Sequence, residues 1–338
     1  MKNILVVGNG FDLALNLQTN YVHFANSKYW TLNDENFKKA GGDNLFKFLS
    51  HKADPQKEKY GTIRWMDIED FLYEYVKKKS TLPVKFSREE VDFDRTFYNR
   101  IKFDFCQYLV EQVNTVSLTP TRVPYCIKNA IEPIIHNKTF KKVYSFNYTD
   151  TAKILKECFK WSPMVIHLHG RALTTNSDIV LGIGSQKDVS DDFRFMLKTY
   201  SKSYFAHDFI DDITHANEIV LYGLSLGPAD FVYFSEFVKT TLNTYRPGNP
   251  KKVMHIFTLN TDSKDKILDS FINFGFDLTE VYSKLKIKFY YAAEAGLGFN
   301  GFNPYEEFKI HMEKMKPASI RQAEYEVNNF MQRYKGNS

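Results

Sequence analysis

Ile4-Leu5-Val6-Val7-Gly8-Asn9-Gly10-Phe11-Asp12 carries the reading of the fold. Four apolar residues in succession, mostly β-branched, suit a short strand buried on both faces of a parallel sheet. Glycines end it at once. At a strand-to-helix turn, Gly8 and Gly10 lack side chains and let a phosphate approach the backbone N–H groups at the positive end of the helix. A full dinucleotide fingerprint needs glycine at position 13, where Leu13 stands, so the loop is either a variant of that motif or a plain tight turn. Gly8, Gly10, Phe11 and Asp12 are its candidate ligand-binding residues, with capping of the next helix as the alternative for Asp12.

Working outward, similar apolar runs recur at Lys142–Asn147, Pro163–His169, Glu218–Tyr222, Val253–Leu259 and Leu285–Tyr291, most of them separated by stretches with helical spacing. The alternation predicts a doubly wound α/β fold with a parallel sheet. Four of these runs end in polar clusters: Phe146-Asn147-Tyr148-Thr149, His167-Leu168-His169-Gly170, Gly223-Leu224-Ser225-Leu226 and Leu259-Asn260-Thr261. In an open parallel sheet the ligand crevice lies outside the carboxyl ends of the strands, so clusters far apart in sequence can meet in one site.

The stretch between the first strand and the second is far longer than an ordinary crossover, which predicts an inserted helical subdomain. Positions 65, 68, 72 and 76 form one apolar face, and Phe93, Phe97, Ile101, Phe105, Tyr108 and Gln112 follow another helical stripe. We place the nucleotide-binding core at 1–30 and 120–300, the insertion at 31–119 and a helical segment at 301–338. In that last segment Ile320, Ala323, Val327, Phe330 or Met331, and Tyr334 mark an amphipathic helix able to pack on the domain or on a second copy. Exposed loops are expected at His51–Tyr60 and Thr244–Lys252.

Composition narrows the function. A chain of 338 residues with 43% hydrophobic and 16% aromatic content builds a core without staples. Its 45 basic and 40 acidic residues leave +5, too small and dispersed a charge to argue for nucleic acid or an acidic membrane. Cys106, Cys126 and Cys158 form no CxxC pair, so neither a disulfide framework nor a structural zinc site is indicated. With no signal-peptide pattern and no run near the roughly 20 apolar residues of a membrane span, the expected location is cytoplasmic.

At the strand ends, Asn147 offers an amide that donates and accepts at once, suited to a ribose hydroxyl or a water; an Asx turn before an N-cap at Thr149 or Asp150 is the competing reading. His167 and His169, two apart, share a strand face, and either one of them acts as a general acid or base or the pair holds a metal, with a satisfied core histidine as the alternative for His167. Ser225 can reach a phosphate or ribose, although with Asp230 it also suits helix initiation, and Asn260 suits either a ligand or a cap. Glu69 borders an apolar stripe, where a partly buried carboxylate needs a partner; a rim position is its expected place, with the crevice as the alternative.

Taken in order, ILVVGNGFDLALNLQTNY from Ile4, WMDIED from Trp65, YSFNYTDT from Tyr144, IHLHG from Ile166 and LYGLSLGPAD from Leu221 resemble the motifs of the bacterial AbiH abortive-infection family. The resemblance spans roughly residues 3 to 300 and extends, more distantly, to the sirtuin-like fold. In sirtuins a GAG loop, a QNID segment, an HG dipeptide, a GTSL segment and a later strand ending in Asn surround NAD in this same order. The resemblance implies a Rossmann-like, sirtuin-like core in which Gly8, Gly10 and Gly223 belong to the NAD-binding turns. It matches Asn147 to the ribose and water amide, His169 to the catalytic histidine, Ser225 to the serine of GTSL and Asn260 to the strand-end asparagine. Where sirtuins carry Asp two residues after the Asn, this chain has Thr149, and the four zinc cysteines have no counterpart. That directs the reading away from protein deacylation and towards zinc-free, NAD-consuming proteins of phage defence. Hydrolysis of NAD to nicotinamide and ADP-ribose, with no metal, is the implied activity. A non-catalytic NAD or ADP-ribose sensor is the second reading, and a metal-dependent hydrolase built on His167 and His169 the third. Implied partners are NAD itself, a phage-derived trigger and a further copy of the chain.

Overall fold

The computed structural model describes residues 3–39, 41–53, 67–82, 86–174, 178–184, 189–202, 204, 206–292 and 304–335. Trp65 of the predicted stripe, and most of the loop expected after His51, lie outside the described residues. The strands are β1 (Asn3–Val7), β2 (Phe140–Ser145), β3 (Met164–His167), β4 (Gly170–Arg171), β5 (Asp178–Ile179), β6 (Glu218–Tyr222), β7 (Lys252–Thr258) and β8 (Leu285–Tyr291). Six of them form one sheet in the order β3-β2-β1-β6-β7-β8, with every pairing parallel. Counted along the chain that order is third, second, first, fourth, fifth, sixth, the doubly wound arrangement of dinucleotide-binding sheets. Its direction of winding reverses between β1 and β6, where Leu5 faces Val143 on one side and Val220 on the other.

Alternation along the strands sorts two cores. Ile4, Val6, Tyr144, Ile219, Leu221 and Ile256 pack with Phe231, Phe234 and Phe237 of the helix Pro228–Thr244. Leu5, Val7, Val143, Val220, Tyr222 and Phe257 meet Ile127, Ile131 and Ile134 of the helix Tyr125–Asn137 and Phe308 of the helix Pro304–Lys314. Because both faces are covered, β1 can be apolar at four successive positions, Ile4 to Val7, as its sequence is.

Among the described residues the long first crossover is helical. Its main element, Arg88–Thr115, starts at a capping box between Ser87 and Glu90 and buries Phe97, Ile101, Phe105 and Tyr108 of the predicted stripe, whose end members Phe93 and Gln112 are half-buried. Its core reaches beyond 31–119, taking in Phe24 and Trp30 before it and Ala172, Leu181, Phe193 and Leu197 after it. Those later residues belong to the segment around the small antiparallel β4–β5 pair, which the sequence reading did not anticipate. His51 and Lys52 prove helical, in Leu45–Lys52, where a loop was expected. The last helix, Ala318–Lys335, leaves Val327 and Met331 exposed and is tied to the body through Glu324, 2.9 Å from Lys316.

Candidate functional site

At the reversal point two turns press together. Gly8 N–H donates to Tyr222 O at 2.9 Å, Gly10 N–H to Gly223 O at 2.8 Å, and Phe11 N–H to Gly8 O at 2.9 Å. A Cβ built on Gly10 would stand 2.6 Å from Gly223 Cα, and Gly223 itself has φ +66. These glycines are therefore required by backbone-to-backbone contact between the turns after β1 and β6. Their N–H groups, and that of Phe11, are spent inside the protein and offer a phosphate nothing.

Two cavities flank this contact. One, of about 430 Å³, is lined by Asp12, Asn147, Thr149, His169 and Asp230 among others; the second, of about 470 Å³, by Phe257, Ser263, Lys266 and Tyr305. Gly10, Gly223, Leu224 and Ser225 line both. Ser225 is exposed and caps no helix, since Gly227 starts Pro228–Thr244, so its hydroxyl is open to a ligand crossing from one cavity to the other. Gly8 and Phe11 line neither; Phe11 is fully buried against the edge of Tyr222. Asn260 is the N-cap of Thr261–Asn273, accepting from Ser263 N–H at 3.0 Å, so its capping alternative is the one realised.

The first cavity is organised around a buried carboxylate. Asp12, inside the short helix Asn9–Ala14, accepts from Asn147 Nδ2 at 2.9 Å and from Thr149 Oγ1 at 2.7 Å. Burial pushes its pKa up from 3.8 to about 7, against the hydrogen bonds of Thr149, Asn147 and Thr19, which pull it down. Of the competing reading for Asn147, the N-cap at Asp150 is realised on Thr151–Phe159, but Asn147 itself makes no Asx turn. Its Oδ1 is buried without a hydrogen-bond partner. A carboxylate from position 12 thus stands beside Asn147, and Thr149 holds it.

His169 lies past the end of β3, its ring among Phe146, Tyr148 and Tyr233, and its Nε2 is likewise buried without a partner. Burial, with the nearby Lys198 charge, keeps its pKa well below 6.5, so the imidazole is neutral. His167 is separately held, with Nδ1 3.5 Å from Asn147 O. Among the described residues neither histidine joins a set of three metal-ligating groups.

The insertion supplies the opposite wall. Glu69, on the helix Ile68–Ser80, pairs with Lys198 at 2.9 Å, accepts from Tyr148 Oη at 3.0 Å and from Gly182 N–H at 3.1 Å. The expected partner for this carboxylate is therefore Lys198, only 4% exposed. Burial alone would lower the Lys198 ammonium, but Glu69 and Asp230 outweigh it and the net shift is upward. Burial also raises Asp67, and raises Asp230 to about 6. Four carboxylates, Asp12, Asp67, Glu69 and Asp230, thus line one cavity.

A family model described as bacteriophage abortive infection AbiH matches residues 4–247. The chain belongs to the AbiH family. The matched span holds the whole Asp12, Asn147, Thr149, His169 and Asp230 cluster. Phe257, Lys266 and Tyr305 of the second cavity fall beyond it. No curated protein matches the chain. Among the described residues no helix of this AbiH protein is long and apolar enough to cross a membrane.

Proposed function

We propose that this AbiH protein hydrolyses the bond between ribose and nicotinamide in NAD. The observation that carries the reading is a buried carboxylate with a pKa of about 7 in a cavity lined also by Asn147 and His169, whose Oδ1 and Nε2 are buried without partners. The nicotinamide–ribosyl end of NAD bears a positive charge, and the sugar gains oxocarbenium character as the bond breaks; a wall of carboxylates favours both. The adenylate end then extends past Ser225 into the second cavity, whose cation is Lys266.

Each group has a role within its chemistry. Asn147 Oδ1 and His169 Nε2 accept from ribose hydroxyls or from the attacking water, so that little orientational freedom remains to be lost. Water adds to the anomeric carbon as nicotinamide departs with the bonding pair, and Asp12 receives the proton that water releases. A general base works best with a pKa near the operating pH, which moves that task from His169, held neutral, to Asp12. ADP-ribose and nicotinamide are the products. No metal enters the scheme, and release from a quiet state by a phage-derived trigger fits a reaction that depletes the host cell's NAD.

The second reading, a sensor that binds NAD or ADP-ribose without cleaving it, has one observation in its favour: both Asp12 oxygens are already engaged, by Asn147 and Thr149. One experiment separates the two. Pure protein is incubated with NAD, with and without phage-infected cell extract, and nicotinamide is followed by chromatography alongside Asp12→Asn, Asn147→Ala and His169→Ala. Release that the variants abolish supports hydrolysis. Calorimetric binding of NAD with no release under either condition supports the sensor, and unchanged turnover in folded Asp12→Asn or Asn147→Ala refutes the assigned roles.

A further inference from the structure

Away from both cavities, three side chains from three elements converge under the sheet. Glu218 opens β6, His255 lies in the middle of the adjacent β7, and His311 comes from the helix Pro304–Lys314 that covers this face. Glu218 and His255 share that face because each alternates with residues packed there, Val220 and Tyr222 along β6 and Phe257 along β7. One ligand atom from each lies within 4.8 Å of the others. The sequence positions carry no motif spacing, so only the fold assembles them.

We propose that Glu218, His255 and His311 form a binding site for a divalent transition-metal ion of the zinc class. Glu218 is 2% and His255 0% exposed, yet Glu218 Oε2 and His255 Nε2 have no hydrogen-bond partner. Such groups are costly to bury unless something satisfies them. Tyr290 Oη meets His255 Nδ1 at 2.9 Å, which fixes the ring with Nε2 towards Glu218, 3.8 Å away. A polar partner on the far nitrogen is how proteins orient metal-bound imidazole. His311 Nε2 contacts Glu218 Oε1 from the other side.

Two imidazoles and one carboxylate select a borderline ion such as Zn²⁺ or Co²⁺ over Mg²⁺ or Ca²⁺, which take oxygen sets. Tetrahedral zinc with bonds of about 2.0–2.1 Å keeps its ligand atoms about 3.4 Å apart, so His255 would close slightly and His311 open. The half-exposed edge at His311, whose side chain is 25% accessible, admits the ion and a water as fourth ligand. Bound there, the ion clips the helix Pro304–Lys314 to β6 and β7, and that same helix carries Tyr305 of the second cavity.

The full-length chain, stripped with chelator and desalted, is titrated separately with Zn²⁺, Co²⁺, Mg²⁺ and Ca²⁺, and metal content is measured by mass spectrometry. The expected result is one equivalent of Zn²⁺ or Co²⁺, a cobalt visible spectrum of tetrahedral type, and no comparable binding of the other two. His311→Gln, at the most accessible ligand, should weaken binding by at least about tenfold, since loss of even an outer partner costs about 10–100-fold. Glu218→Gln is the second variant should the first fail to fold. Absence of stoichiometric Zn²⁺ and Co²⁺ in the wild type would mean that Glu218 and the histidines form an ion pair only and would overturn the site. So would unchanged affinity in a folded variant.

Discussion

Asn147 Nδ2 donates to Asp12 Oδ1 at 2.9 Å across 135 positions of sequence, tying the loop after β2 to the first helix directly over the reversal point of the sheet. Asp12 has no exposure, and its pKa rises from 3.8 to about 7 because burial disfavours the charged form. Between those two pH values the folded chain holds a proton that the unfolded chain has released. Stability is therefore highest below pH 3.8 as far as this group is concerned, and falls as pH rises towards 7. The span corresponds to about 4 kcal/mol lost across the window. Asp230, raised to about 6, adds to the lower part of the same slope. In Asp12→Asn the fall should be shallower, with a higher urea midpoint than wild type at pH 8; parallel pH profiles for the two proteins would contradict a buried, charge-disfavoured Asp12.

The contact between Gly10 and Gly223 gives a second test. A methyl on Gly223 would lie 2.4 Å from Phe11 N, in a residue whose φ of +66 already disfavours a side chain. Left-handed strain and overpacking together put Gly223→Ala at roughly 2–5 kcal/mol of destabilisation. Gly10→Ala lacks the strain and should cost less, although its Cβ meets Gly223 Cα at 2.6 Å. Denaturant unfolding without nucleotide measures both. Wild-type stability in Gly223→Ala would mean that the two turns are not pressed together.

These glycines mark how far the sequence could be read. The apolar run of β1, the later runs and the polar clusters after them are local signals, and they gave the parallel sheet and the convergence of Asn147, His169 and Ser225 on its carboxyl end. Local signals do not say what a residue meets. Glycine at positions 8 and 10 fits an approaching phosphate as well as an approaching backbone, and only the fold shows that Gly223 occupies that space. Asp12 read equally well as a helix cap, because its partners Asn147 and Thr149 lie far along the chain. Lys198 sits in a segment with no distinctive pattern, and its meeting with Glu69 depends on the insertion folding back over the sheet.

That meeting predicts a coupling. Lys198 is 4% exposed and Glu69, on the insertion, 20%, so removing either partner strands a charge in a poorly solvated wall. Lys198→Met should destabilise the chain by about 3–5 kcal/mol. In the double variant with Glu69→Gln much of that loss should be recovered, leaving a coupling energy of about 1–3 kcal/mol in a double-mutant cycle. Strict additivity would show that the pair contributes nothing across the insertion.

The proton-acceptor role proposed for Asp12 has its sharpest consequence in the pH dependence of turnover. With a pKa of about 7, the rate of nicotinamide release should rise on a single ionisation and level off above that value. Thr149 and Asn147 both hold the Asp12 pKa down, Thr149 by the larger amount. Thr149→Val should therefore carry the rising limb to higher pH, whereas Thr149→Ser, which keeps the hydroxyl, should leave it in place. Asn147→Ala shifts the limb in the same direction but also loses the group that positions water, so its plateau should fall as well. A change in the plateau without movement of the limb would separate the threonine hydroxyl from the ionisation, and Asp12 would then not be the group that titrates.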